Sequence, residues 1–118
     1  MSTNNMMLRE IATARSGDKG NHANIGVVAF TPSGYEWLSR ELTAERVAAY
    51  FAGLGITACE RFELPKVWAL NFLLYNALGG GASGSLRIDT QGKLLGTALL
   101  DLELPAPPNL NEMRNAEN

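Results

Sequence analysis

Apolar positions along this chain fall into short runs separated by glycine, proline and asparagine, which predicts a domain built from short elements. Leu8 to Ala14 reads as an opening strand with imperfect alternation. Ile25 to Phe30, "IGVVAF", is apolar at nearly every position, the pattern of a central strand covered on both faces. "TPSGYEWLSREL" predicts a short helix with Tyr35, Leu38 and Leu42 in line. Thr43 then stands as the N-cap of a second helix carrying Val47, Tyr50, Phe51 and Leu54, with Gly53 and Gly55 as its stop. Thr57 to Leu64 alternates, with Ala58, Phe62 and Leu64 on one side and Glu60 as the exception there.

Pro65 is expected to open a third helix running to about Leu78. Its Val67, Leu70, Leu74 and Leu78 form one stripe, and Trp68, Phe72 and Tyr75 lie beside it. A helix apolar nearly all round is buried on more than one side, and in so small a domain the second side points to another subunit. Ser85–Asp89 and Leu94–Leu104 then read as a hairpin through "TQGK", with Gly92 at the turn. The last strand places Leu94, Ala98, Leu100, Leu102 and Leu104 on one face, and Asp101 and Glu103 on the other. The expected order is β-β-α-α-β-α-β-β. It implies an α+β fold of ferredoxin-like character, with a mixed or antiparallel sheet of about five strands and helices on one face.

The 118 residues suit one domain, expected over 7–104, with a frayed start at 1–6 and an extended Pro/Asn-rich tail at 105–118. A hydrophobic content of 46% and a formal charge of −2 fit a folded globular protein and give no footprint for nucleic acid or an anionic membrane. Cys59 and His22 are each the only residue of their type, which rules out an internal disulfide and a structural zinc site. The start lacks a basic, apolar secretion signal, and no apolar run is long enough to span a bilayer, so a soluble, cytoplasmic protein is expected.

The densest chemistry lies in "ARSGDKGNHANIG". Arg15 and Lys19 supply positive charge, Ser16, Asn21 and Asn24 supply hydrogen bonds, and Gly17 and Gly20 let backbone N–H groups approach a ligand. That composition suits a carboxylate or phosphate, although the spacing is not that of a phosphate-binding P-loop. The competing reading is a self-satisfied turn in which Asp18 pairs with Arg15 or Lys19. Ser16, Asp18 and His22 do not make a credible triad, because three members on one short loop rarely converge in line. Asn71 is expected to face the apolar stripe of the third helix, where a buried amide needs a partner. Gly79, Gly80 and Gly81 serve either as a helix end or as a place where a ligand or another chain approaches closely. No metal set and no cofactor motif stands out.

These segments together resemble one family. "ARSGDKGNHANIGVVA", then Leu42, Thr43, Glu45, Val47, Tyr50 and Phe51, then "LPKVWALNFLLYNALGGGASGSLRIDTQGK" are similar to the C-terminal domain of proteins like the acyclic terpene utilisation protein AtuA. The matching positions are Arg15, Ser16, Gly17, Asp18, Lys19, Gly20, Asn24 and Gly26, then Asn71 and Gly79 to Gly81, then Asp89, Gly92 and Lys93. The resemblance implies a ferredoxin-type fold. It also implies a place in the breakdown of branched or hydroxylated acyl compounds as CoA thioesters. The family's larger N-terminal domain is not in this chain, so an activity needing both halves is expected to require a separate AtuA-like subunit. The resulting expectation is an accessory or ligand-binding module, self-associating or paired with that subunit, and taking a small anionic ligand. The alternative is a stand-alone enzyme on a hydroxyacyl or acyl-CoA substrate, with Lys19 or Asp18 as acid/base and Arg15 holding the anion.

Overall fold

The computed structural model describes residues 5–19, 22–76 and 91–114. Strands β1 (Asn5–Met7), β2 (Ala12–Lys19) and β3 (His22–Ala29) come first, followed by helices α1 (Pro32–Glu41) and α2 (Ala44–Tyr50). Strands β4 (Ala58–Leu64) and β5 (Ala69–Tyr75), helix α3 (Gln91–Leu99), strand β6 (Glu103–Pro105) and helix α4 (Leu110–Met113) complete the order. A four-stranded antiparallel sheet runs β2-β3-β5-β4, and β1 pairs with β6 in a small separate ladder. The fold is α+β with ferredoxin-like character, as the residue pattern implied.

One face of the large sheet holds the core. Ala23, Ile25 and Val27 of β3 and Leu70, Phe72 and Leu74 of β5 point inward, where Leu38, Val47, Leu95 and Leu99 of the helices meet them. Thr31 and Thr43 cap α1 and α2, their side chains accepting from the Gly34 and Arg46 N–H groups at 3.0 Å each. Gly55 closes the second helical segment at φ 74°, a conformation that a side chain disfavours.

Two elements differ in kind from their sequence pattern. The expected third helix is a strand: Pro65–Val67 form a single 3-10 turn, Trp68 turns left-handed at φ 56°, and β5 begins at Ala69. The left-handed residue ends the helical turn that Pro65 starts, and the remaining apolar run then alternates between faces. Conversely, the second arm of the expected hairpin is helix α3 over Gln91–Leu99, because Leu95 and Leu99 lie one turn apart and pack on β2 and β3. Its first arm, residues 85–89, and Leu78 lie outside the described residues.

The ends are also tied down further than expected. Met6 is buried opposite Leu104, and Met113 of α4 is buried as well. Arg114 donates to Glu10 at 2.7 Å, and the Trp37 indole donates to the Pro105 carbonyl at 3.0 Å. The opening strand begins at Ala12, after a 3-10 turn at Leu8–Glu10, and continues to Lys19.

Candidate functional site

The polar segment around Arg15 is mostly strand. Residues 15 to 19 close β2, residues 22 to 26 open β3, and the two pair as a hairpin. Gly20 and Asn21, like Gly79, Gly80 and Gly81, lie outside the described residues. Pairing fixes which side chains share a face, because alternate residues of a strand point to opposite sides.

On the outer face, away from the helices, the ladder forms rows across the sheet. Arg15 stands opposite Gly26, Gly26 opposite Asn71, and Asn71 opposite Phe62. The next row runs Gly17, Asn24, Leu73, Glu60. Arg15 and Asn71 therefore share a row with one glycine strand position between them, about 10 Å apart at ordinary strand spacing. Gly26 has no side chain to fill that gap, and a Cβ there would already reach Asn71 Oδ1 at 3.6 Å.

Asn71 is half-buried and turned away from the core, not toward an apolar stripe, because β5 is a strand. Among the described residues, the side chains of Arg15, Asn24 and Asn71 have no hydrogen-bond or ion-pair partner. The expected pairing of Asp18 with Lys19 rests on side chains that lie outside what the structure describes. Ser16 lies on the other side of the sheet. Its Oγ accepts the Gly96 N–H of α3 at 2.7 Å, which ties the helix to β2. Asp18 and Lys19 end β2 opposite Ala23 and His22.

The same face carries a polar chain at its far end that sequence reasoning passed over. His22 Nδ1 accepts the Asn76 N–H at 3.0 Å, so the proton of the neutral ring sits on Nε2. The His22 ring meets Tyr75 edge-on with centroids 5.0 Å apart. Tyr75 donates its hydroxyl to Glu60 at 2.6 Å, and that bond is the main reason its pKa is raised. Asn76, left-handed at φ 65°, donates its amide to Thr57 at 3.0 Å. The signal was present only as spacing on strands: His22 and Tyr75 share the outer face once both segments are read as extended.

At the opposite end the face turns apolar. Phe62 and Leu64 of β4 are 46% and 47% exposed, and Val28, Val67 and Trp68 join them. A shallow groove lined by Glu63 to Val67 borders this patch. The apolar side of β4 thus faces outward, and its inward positions are Cys59, Arg61 and Glu63. The Cys59 thiol is pushed up to about 11 by burial, with Glu45 and Glu60 adding to it, so it is a poor nucleophile near neutral pH. Among the described residues no cluster of three His, Cys, Asp or Glu side chains is placed to hold a metal ion, and no helix is long and apolar enough to cross a membrane.

Such an α+β sheet, with Arg15–Lys19 in β2 and "LNF" in β5 on either side of β3, matches one known group across most of its length. The profile of the AtuA ferredoxin-like domain covers residues 6–105. The chain belongs to this family. No curated protein and no solved structure gives a significant match. In this AtuA ferredoxin-like chain the family match takes in the strands that form the open face and the helices that back it.

Proposed function

We propose that this chain is an accessory, ligand-binding module of the cytoplasm whose outer sheet face takes a small anion beside Arg15. The ligand class is a carboxylate, a phosphate or a CoA ester, and the setting is the breakdown of branched or hydroxylated acyl compounds. One observation carries this reading. A guanidinium and two carboxamides, all without partners among the described residues, stand in adjacent rows of one open face. Cation and amides arranged in that way suit an anion that also accepts hydrogen bonds. Gly17 and Gly26 lower the face between them, so a ligand reaches the backbone. The apolar end, from Leu73 to Phe62 and Leu64, gives an acyl portion a surface to cover.

Calorimetric titration with phosphate, short hydroxy acids, CoA and short acyl-CoAs tests this on wild type and on Arg15→Ala. The expected result is binding by at least one anion, weakened tenfold or more in Arg15→Ala. Arg15 is exposed and has no partner among the described residues, so unfolding of the free variant should shift by no more than about 0.5 kcal/mol. Binding that survives the substitution unchanged, or no binding by any of these ligands, sinks the reading.

A further inference from the structure

We infer that two copies of this chain join through the free edge of β4, antiparallel and with Phe62 at the two-fold axis. Among the described residues β4 pairs only with β5, so its other edge presents unpaired N–H and C=O groups. The Arg15 row ends at Phe62, so the two readings meet at that residue, but this one rests on the backbone edge of β4 and its charge order and needs no ligand. It also differs from self-association through an apolar third helix, since that segment is the interior strand β5.

The occupant follows from charge. A two-fold axis perpendicular to a sheet places one residue opposite its own copy, so a symmetric pairing is defined by its central residue. Centring on Glu60 or Glu63 sets two carboxylates against each other, and centring on Arg61 sets two guanidinium groups together. Centring on Cys59 leaves only a short overlap at the start of β4. Centring on Phe62 places Arg61 of each copy opposite Glu63 of the other, twice over, with the two Phe62 rings stacked at the axis. Arg61 is already held in position, donating to the Ser39 and Leu42 carbonyls at 2.9 and 3.0 Å and pairing with Glu63 at 2.7 Å.

Arg61 and Glu63 occupy the inward side of an edge strand, an arrangement that repels indiscriminate pairing. Within one copy Arg61 already pairs with Glu63, and β4 read backwards from Phe62 sets each of these charges against its opposite in the other copy, so this register adds attraction where a like-charge register adds repulsion. The same register covers Phe62, which is 46% exposed in one copy, and brings the Leu64 patch of each copy up to the junction. The result is a continuous eight-stranded sheet with both open faces on the same side.

Light scattering on the purified full chain at 100 µM is the first measurement, with twice the 12.7 kDa chain mass expected. Phe62→Lys sets two ammonium groups at the axis and should give a monomer with the far-UV spectrum of wild type. Register is read by cross-linking in a Cys59→Ser background, where Glu60→Cys and Leu64→Cys face each other. Each single variant should resist disulfide formation with itself, and an equimolar mixture should give a cross-linked dimer. A monomeric wild type overturns the inference. So does a dimer that persists in Phe62→Lys, or cross-linking no stronger in the mixture than in the single variants.

Discussion

The two faces of the four-stranded sheet are made by alternate residues of the same strands, yet they do different work. Inward, Ile25, Phe72 and Leu74 have no exposed surface at all. Outward, one residue along, Asn24, Asn71 and Leu73 are only half covered, and Val28 and Phe62 reach 40% and 46% exposure. An antiparallel sheet backed by helices on one side needs only its inner residues for stability. The outer positions are then free to carry groups that cost stability or contribute none, such as the Arg15 guanidinium, which has no partner among the described residues. Two partly exposed amides and a left-handed tryptophan beside an apolar patch fit the same logic, since backbone strain collects where a surface is used.

The sharpest test of this division uses neighbours on β5. Phe72→Ala empties a fully buried site and should cost about 3–5 kcal/mol, a large part of the 5–15 kcal/mol typical of a domain. Leu73→Ala, one residue along and half-exposed, should cost about 1 kcal/mol or less. Urea denaturation of both variants measures the contrast. Equal costs would mean that the outer face is as closely packed as the inner one, and the two-face account would fail.

A second contrast uses glycines of adjacent elements. A Cβ on Gly96 would lie 3.0 Å from the Arg15 carbonyl carbon and 3.0 Å from Ser16 Oγ, so α3 approaches β2 as closely as it does only because the side chain is missing. Gly96→Ala gains about 1 kcal/mol of helix propensity. It loses about 1–3 kcal/mol by forcing helix and strand apart. The net expectation is a destabilisation of about 1 kcal/mol. Gly17→Ala, with nothing within 4 Å of its Cβ, should be neutral or gain up to about 1 kcal/mol. Thermal unfolding of the pair decides, and a stabilising Gly96→Ala would show that α3 does not lean on β2.

These contrasts also show what the residue pattern could convey. Both helices before β4, the Thr43 cap and strands β3 and β4 follow from local signals that the tertiary structure leaves intact. β5 and α3 do not, and each for a definite reason. "ALNFLLY" carries apolar residues on both faces because the outer face also holds Leu73 and Tyr75, so its period of two is masked and Pro65 suggests a helix start. In "LLGTALLDLEL" leucines fit both periods, and Gly96, unfavourable in a helix by propensity, is kept for close packing. The site inherits the same ambiguity. Arg15 and Asn71 are visible one at a time, but their shared row exists only if both segments are strands.

The smallest expected effect concerns the inward side of the edge strand, where the division between faces is weakest. Cys59 is half-buried there, and its thiol rises from an ordinary 9.0 to about 11, first through burial and then through Glu45 and Glu60. At pH 8 the folded protein should therefore react with iodoacetamide much more slowly than the urea-unfolded chain. The sign for stability follows from the direction of the shift. Below pH 9 the thiol is neutral in both states and takes nothing from folding. Between pH 9 and about 11 the unfolded chain ionises first, so stability falls as pH rises through that window. Cys59→Ala should flatten that slope while leaving the slope from Tyr50 and Tyr75 ionisation in place. An unchanged slope, together with rapid alkylation of the folded protein, would mean that the edge of β4 opens to solvent. The inward side of that strand would then belong with the outer face rather than with the core.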